Sequence, residues 1–326
     1  MIRSELSEIS QPIKDELRTF NELFKKAMTS KVGLVDLITR YILRQKGKKI
    51  RPLLVLLSAK VAGGVNERTY RGALLVELLH TATLVHDDVV DNADKRRGFW
   101  SINAIFKNKA AVLMGDYLLS RGLLIAVEGN DHDFLGVITN TVKRMSEGEL
   151  LQIQKTRKLD IDEKTYFQVI SDKTASLLET CCLIGAFSAS ENSEYHEAMK
   201  KFGESIGIAF QIRDDVLDYE GSSSLIGKPV GGDIKEKKIT LPLIYSLNQV
   251  SGSESDSIKR LIKNGAKKDA IKEIMEFVRR NKGIDYALEQ AHLYSNLAKE
   301  SLKIFPDSQS KIALEAVVDY VIERKN

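Results

Sequence analysis

Apolar residues return at spacings of three and four along almost the whole chain, and this limits its fold more than any other feature. Ile13, Leu17, Phe20, Leu23 and Phe24 do so, as do Leu34, Leu37, Ile38, Tyr41 and Ile42. Ile271, Ile274, Met275 and Val278 repeat the pattern. So does the tail, 312–322, with Lys and Arg gathered at its C-terminal end where cations suit the helix dipole. Residues 73–85, ALLVELLHTATLV, are apolar almost all round, and 110–126 and 177–189 are similar. Helices of that kind belong in the centre of a bundle. No run alternates for long enough to propose a sheet. The breaks fall at 62–66, 129–131, 188–193, 221–232 and 251–257. The expectation is an all-α fold: one large helical domain over 1–326, central apolar helices surrounded by amphipathic ones, with 251–257 a surface loop.

Composition narrows the class. With 43% hydrophobic residues in 326, the chain has material for a sizeable core, and disorder is excluded. Lys+Arg (49) exceed Asp+Glu (45) by only four, and no basic stripe is interleaved with aromatics, so nucleic acid is not an expected partner. The two cysteines, Cys181 and Cys182, are adjacent and poorly placed for a structural bridge, which fits a reducing, cytoplasmic setting. Glu5, Glu8, Asp15 and Glu16 stand where a signal peptide needs an apolar run. The longest apolar stretches, 52–59 and 73–79, fall short of the ~20 residues of a membrane span, so none is expected.

The apolar helix 73–85 runs into His86-Asp87-Asp88-Val89-Val90-Asp91. On a helix Asp87 and Asp91 share a face one turn apart, with Asp88 beside them. Three carboxylates this close repel, and at the end of a buried helix a cation must neutralise them. All-oxygen ligands point to magnesium or manganese. One such cluster is a weak signal, since a solvated face could tolerate it. Asp214-Asp215-Val216-Leu217-Asp218 repeats the DDxxD spacing after a second apolar stretch, 206–210. Two clusters facing each other across a bundle would clamp a diphosphate through shared magnesium.

Basic residues fit that anion. Lys46-Gly47-Lys48-Lys49-Ile50-Arg51-Pro52 is a glycine-containing turn opening an apolar helix, with Pro52 suited to the first helical position. Lys95-Arg96-Arg97-Gly98 follows the first acidic cluster, and Lys173, Lys228 and Lys237-Lys238 add further cations. Taken singly each reads as surface charge, and for Lys49, Lys95 and Lys237 that reading is kept.

These residues are similar to those of trans-type polyprenyl diphosphate synthases, closest to the medium- and long-chain, octaprenyl-like members. The resemblance runs in order through 47–52, His80, 87–91, 96–98, 115–119 (GDYLL), 147–152 (EGELLQ), 173–175 (KTA), 210–215 (FQIRDD), 227–228, 232–233, 238–242 (KITLP) and 305–308. It covers essentially the whole chain. It implies the all-helical isoprenoid synthase fold and head-to-tail condensation of isopentenyl diphosphate with an allylic diphosphate, with loss of pyrophosphate. It further implies three magnesium ions once substrate is bound, manganese as a substitute, and a homodimer. Carried over, Asp87, Asp88, Asp91, Asp214, Asp215 and Asp218 hold the metal, with Asp87, Asp91 and Asp214 the most direct. Arg96, Lys173, Lys228 and Lys238 contact the allylic diphosphate, Lys48, Arg51, His80 and Arg97 hold isopentenyl diphosphate, and Thr174 and Gln211 flank the reacting carbons. Residues 220–232 read as an active-site lid, or equally as a mobile loop without a gating role. This chain departs from the family pattern at Lys46 and Lys237, where glycines are usual.

In that family, aromatics four and five positions before the first aspartate stop growth at fifteen carbons. Here those positions hold Thr83 and Ala82, so a product longer than twenty carbons is expected, about thirty to forty by the resemblance, suited to a quinone side chain. Leu113, Met114 or Leu123, or a partner subunit, could close the tunnel. A lipid product also suggests peripheral membrane contact for its release. The rivals are a farnesyl or geranylgeranyl synthase, a terpene cyclase, which would need no Lys48/Arg51 turn, and a non-catalytic partner subunit, which would lack the acidic clusters. A di-iron reading of Glu77…His80 and Glu289…His292 leaves the paired DDxxD unexplained.

Overall fold

The computed structural model describes residues 2–45, 47, 49–96, 98–220, 231–265 and 267–323. Sixteen α-helices account for most of them: α1 (Ile2–Ile9), α2 (Lys14–Ala27), α3 (Gly33–Arg44), α4 (Ile50–Ala62), α5 (Glu67–Val90), α6 (Ile102–Glu128), α7 (His132–Lys158), α8 (Glu163–Ile170), α9 (Ser176–Ala189), α10 (Ser193–Glu220), α11 (Gly232–Lys235), α12 (Leu241–Asn248), α13 (Gly252–Lys263), α14 (Lys268–Arg280), α15 (Gly283–Ser301) and α16 (Gln309–Glu323). The periodicity is thus realised as helix at every stretch that shows it. Two corrections follow. Lys95–Arg96 (β1) and Phe99–Trp100 (β2) pair antiparallel in a hairpin too short for any alternation to show. The expected loop 251–257 is instead the opening of α13, because Ile258 and Ile262 give that segment a buried stripe beneath its Ser-rich exposed face.

The centre is built from α4, α5 and α9. Ala73, Leu75, Val76, Leu78, Leu79 and Ala82 of α5 are all buried, as the all-round apolar pattern requires. Each fully buried leucine contributes about 1.5–3 kcal/mol. A capping box starts this helix: Asn66 accepts from Thr69 N–H while the Thr69 side chain accepts from Asn66 N–H. Buried Asp131 then ties it to the α6–α7 corner, accepting from Arg68 Nε at 2.9 Å and Arg71 Nε at 2.7 Å. Close helix contact depends on glycine. A Cβ on Gly185 of α9 would run into the carbonyl oxygen of Val55 on α4, and one on Gly203 of α10 would meet Glu179 Cα at 2.6 Å. In α6, Gly115 leaves room for the His86 ring.

Helix α10 joins two buried clusters. Phe202, Ile206 and Ala209 pack with the N-terminal helices, while Ile208, Ile212, Val216 and Tyr219 pack with α8 and α11–α15. Helix α6 departs from expectation. Lys107 (φ 72°, ψ 159°) interrupts it, and Val112, Leu113, Leu124 and Val127 are exposed. Among the described residues it is the one helix long and apolar enough to cross a membrane by length and composition, and only 33% of its most apolar window is buried. The sequence estimate missed it because scattered polar residues break the run without lowering its mean hydropathy enough.

Gly185→Ala should cost about 1–3 kcal/mol, since neither backbone can yield. Gly136→Ala on α7, where a Cβ meets nothing, should be neutral or gain up to about 1 kcal/mol. Chemical denaturation of both variants checks this.

Candidate active site

The first acidic cluster ends α5, with Asp87 and Asp88 in its last turn and Asp91 at its C-cap. Asp88 is buried and accepts from Arg96 Nε at 2.6 Å, so the short hairpin that carries Arg96 is pinned to the cluster. Asp87 and Asp91 are exposed. Even so, the protein crowding Asp87 pushes its carboxyl up: partial desolvation dominates, Arg96 opposes it and Asp91 adds to it.

The second cluster lies in the last turns of α10. Asp214 is exposed and Asp215 buried, since successive residues on a helix point to different sides. Asp215 accepts from Tyr166 OH at 2.7 Å and from Gln211 Nε2 at 2.8 Å. Its carboxyl is pushed up to about 8, by burial first and by the nearby Asp233, against the pull of those two hydrogen bonds. Asp218 accepts the backbone N–H groups of Gly232 at 3.0 Å and Asp233 at 3.1 Å, anchoring the start of α11. Asp233 itself is raised to about 6, through burial and then Asp218.

Between the clusters the helix register changes. Ser171–Ala175 forms a π-helical turn in which Ser176 N–H donates to Ser171 O, five residues back. Such single-turn insertions re-aim side chains. Lys173 and Thr174 sit on this turn. Lys173 Nζ reaches Glu149 and donates to Gln152 Oε1 at 2.7 Å, and Thr174 Oγ1 donates to Gln211 Oε1 at 3.0 Å. Lys173 is the link between the two acidic clusters. Its charge acts on Asp87, and it lines a cleft of about 230 Å³ together with Asp214, Asp215, Asp233 and Lys238. Lys238 donates to Glu236 Oε2 at 2.6 Å.

A second cavity, about 510 Å³, adjoins the first cluster. Arg51, His80, Asp88, Arg96, Phe99 and Phe210 are among its lining residues. Lys49 lines it as well, which corrects the surface-charge reading: it is half-buried, bonded to Asn21 Oδ1, 5.8 Å from the Phe24 ring centroid, and its amine is lowered by burial. Lys95 stays at the surface over the Trp100 ring. Lys237 takes the left-handed backbone that favours glycine (φ 60°), and its ammonium donates to Lys263 O at 3.0 Å. Ala82 is buried and Thr83 half-buried, its hydroxyl donating to His80 O at 2.9 Å. Of the residues suggested to close the tunnel, Met114 is buried, Leu123 half-buried and Leu113 exposed. Lys46, Lys48, Arg97 and Lys228, and 221–230 of the expected lid, lie outside the described residues.

Among the described residues no three His, Cys, Asp or Glu side chains converge closely enough to hold an ion by themselves. The donor set is nonetheless all oxygen, and burial and mutual repulsion hold Asp87, Asp215 and Asp233 up. It suits a hard divalent cation whose shell is completed by water and phosphate oxygens. Sequence reasoning assigned no role to Tyr166, Glu149, Gln152 or Asp233. Glu149 and Gln152 fall in a segment flagged only by resemblance, and Tyr166 meets Asp215 across 49 residues, a distance no local pattern reveals.

The model of the polyprenyl synthetase family matches residues 33–278. The chain belongs to that family. Its members are prenyltransferases, and the all-α isoprenoid synthase fold is shared with solved structures. The octaprenyl diphosphate synthase of Haemophilus influenzae is 32% identical over 98% of this chain and 97% of its own. A polyprenyl synthase from Caulobacter crescentus, solved with calcium and isoprenyl diphosphate, is 31% identical with a TM-score of 0.89 over 98% of each chain. A geranylgeranyl pyrophosphate synthase structure from Bacteroides thetaiotaomicron is 38% identical, TM-score 0.83, over 98% of this chain and 100% of that one.

The raised carboxyl of Asp215 gives a pH dependence. Folded, it holds its proton up to about pH 8, whereas the ordinary value is 3.8. Between those values the folded state binds more protons than the unfolded state, so this contribution to stability is fully present at low pH and is lost as pH rises through that window. In metal-free buffer the melting temperature of wild type should fall toward pH 8, and Asp215→Asn should flatten that fall.

Proposed function

We propose that this prenyltransferase joins isopentenyl diphosphate head to tail to an allylic diphosphate such as farnesyl diphosphate, with magnesium as the metal. One observation carries the reading. The cleft lined by Lys173, Lys238 and the second acidic cluster is distinct from the cavity that Arg51, His80 and Arg96 line with Asp88 of the first cluster, and the Lys173 charge acts on Asp87 of that cluster. Two anionic substrates therefore have two sites, whereas a cyclase needs one.

Asp87, Asp88, Asp91, Asp214, Asp215 and Asp218 would hold three magnesium ions against the allylic diphosphate, with manganese as a substitute. The bound metal neutralises charge that develops on the leaving diphosphate. Arg96, Lys173, Lys228 and Lys238 hold the same anion, and Lys48, Arg51, His80 and Arg97 hold isopentenyl diphosphate. The allylic C–O bond breaks with its electron pair leaving on pyrophosphate. Thr174 and Gln211, already bonded to each other, turn their dipoles toward the allylic cation, and surrounding helices exclude water. The alkene of isopentenyl diphosphate then forms the new C–C bond, and pyrophosphate takes the proton. Residues 220–232 would close over the bound substrate as a lid, with a loop of no gating role as the equal alternative.

The product reading is an all-trans chain longer than twenty carbons, about thirty to forty, for a quinone side chain. Small Ala82 and Thr83 support it. The geranylgeranyl synthase structure at 38% identity favours a short-chain alternative. The chain works in the cytoplasm as one domain over 1–326, with peripheral membrane contact when product leaves. It pairs as a homodimer through the exposed Val112, Leu113, Leu124 and Val127.

Labelled isopentenyl diphosphate, farnesyl diphosphate and magnesium should give a ladder ending at about thirty to forty carbons, and chelation should abolish it. A ladder ending at twenty would install the short-chain alternative, and no product from any allylic primer would refute the condensation. Thr83→Phe should shorten the product without loss of turnover, read on the same chromatogram.

A further inference from the structure

One partly buried polar network lies outside every role assigned so far, and it surrounds the π-helical turn. Arg144 of α7 donates from Nε to Asp172 Oδ1 at 2.8 Å, from Nη1 to Glu179 Oε2 at 2.6 Å and from Nη2 to Ser171 Oγ at 3.1 Å. Ser171 Oγ in turn donates to Glu204 Oε1 of α10 at 3.0 Å. Glu179 is buried in α9, and burial raises its carboxyl against the pull of Arg144. The guanidinium thus holds both ends of one segment: Ser171 and Asp172 inside the π turn, and Glu179 in the first turn of the helix beyond it.

The rest of that α7 face is shaped to the same turn. Positions 144, 148 and 152 are spaced by four and share a face. Gly148 lets the turn's backbone approach: a Cβ there would meet Lys173 N at 2.9 Å and Asp172 Cβ at 3.0 Å. Gln152 accepts from the Lys173 ammonium. A π turn is rare and occurs mostly as a single-turn bulge in an otherwise α-helical run, often at a functional site, and without contacts that hold it the run can take the α register. Reversion would rotate Lys173 away from Asp87 and Thr174 away from Gln211.

We propose that Arg144 is a positioning residue: by clamping Ser171, Asp172 and Glu179 it fixes the π register that presents Lys173 and Thr174 to the allylic substrate. It reaches the chemistry only through that turn. The inference rests on the prenyl-transfer reading above and extends it to a residue that the motif resemblance does not include. Groups that fix the orientation of a functional side chain commonly cost 10–100-fold when removed, at roughly constant fold. Arg51 and His80 belong to the other cavity, so binding of isopentenyl diphosphate should be spared.

The test compares wild type with Arg144→Lys, Arg144→Met and the triple variant Arg144→Met/Asp172→Asn/Glu179→Gln. The triple variant removes the clamp without leaving two unpaired carboxylates, and so covers the case in which Arg144→Met does not fold. Kinetic constants are taken per folded enzyme, for each substrate separately. The expected result is that kcat/KM for the allylic diphosphate falls about tenfold or more, with KM for isopentenyl diphosphate within about twofold of wild type. Arg144→Lys should recover only part of the loss, since an ammonium cannot reproduce a three-way planar fork. Wild-type constants in the folded triple variant would overturn the proposal, as would a KM for isopentenyl diphosphate raised about tenfold with kcat unchanged. Inactive wild type would instead refute the prenyl-transfer reading.

Discussion

Everything at this site depends on holding carboxylates close together at the edge of a packed helical core. Burial first, and each other's charge second, makes such groups resist ionisation, which is why Asp87, Asp215 and Asp233 are all pushed up. The fold offsets part of this repulsion with its own cations and donors. Arg96 sits on Asp88, Lys173 acts on Asp87, and Tyr166 and Gln211 bond to Asp215. What these contacts leave uncompensated is a demand for divalent cations, and cations held this way attract diphosphate. Chemistry and stability are therefore coupled through the same charges.

That coupling explains the local departures from regular structure. A continuous α-helix through 163–189 would not direct Lys173 and Thr174 as the π turn does. Gly148 allows the neighbouring helix to approach that turn, and Asp218 fastens the start of α11 beside it. The hairpin of Lys95–Trp100 exists to carry Arg96 back to Asp88, with Tyr41 OH donating to Trp100 O at 2.6 Å from the other side. The rigid scaffold behind these features is the α4–α5–α9 contact, which Gly185 makes possible.

The helical fold was legible because burial in a bundle forces a three-and-four spacing, and α5 declares its central place by lacking a polar face. The acidic clusters and the basic turn could be picked out as candidates because the proposed chemistry needs those residue types at those spacings. What could not be read was set by contacts distant in sequence. Tyr166 meets Asp215, and Arg144 meets Glu179, with no periodic trace. Lys49 resembled surface charge because a single sequence cannot show that Phe24 and Asn21 fold against it. The exposed side of α6 was hidden for a similar reason: apolar residues that face solvent in one chain have the same pattern as those that face a core.

The central claim is that divalent metal held between the two clusters when a diphosphate is present displaces the proton that burial keeps on Asp215, whose carboxyl is pushed up to about 8. The direct measurement is calorimetric titration of magnesium into the protein with inorganic pyrophosphate at pH 7, in two buffers of different ionisation heat. The account predicts proton release beyond that of magnesium and pyrophosphate alone, with binding weakened about tenfold or more by either Asp87→Asn or Asp214→Asn. Binding without extra proton release, or binding indifferent to both substitutions, would contradict it.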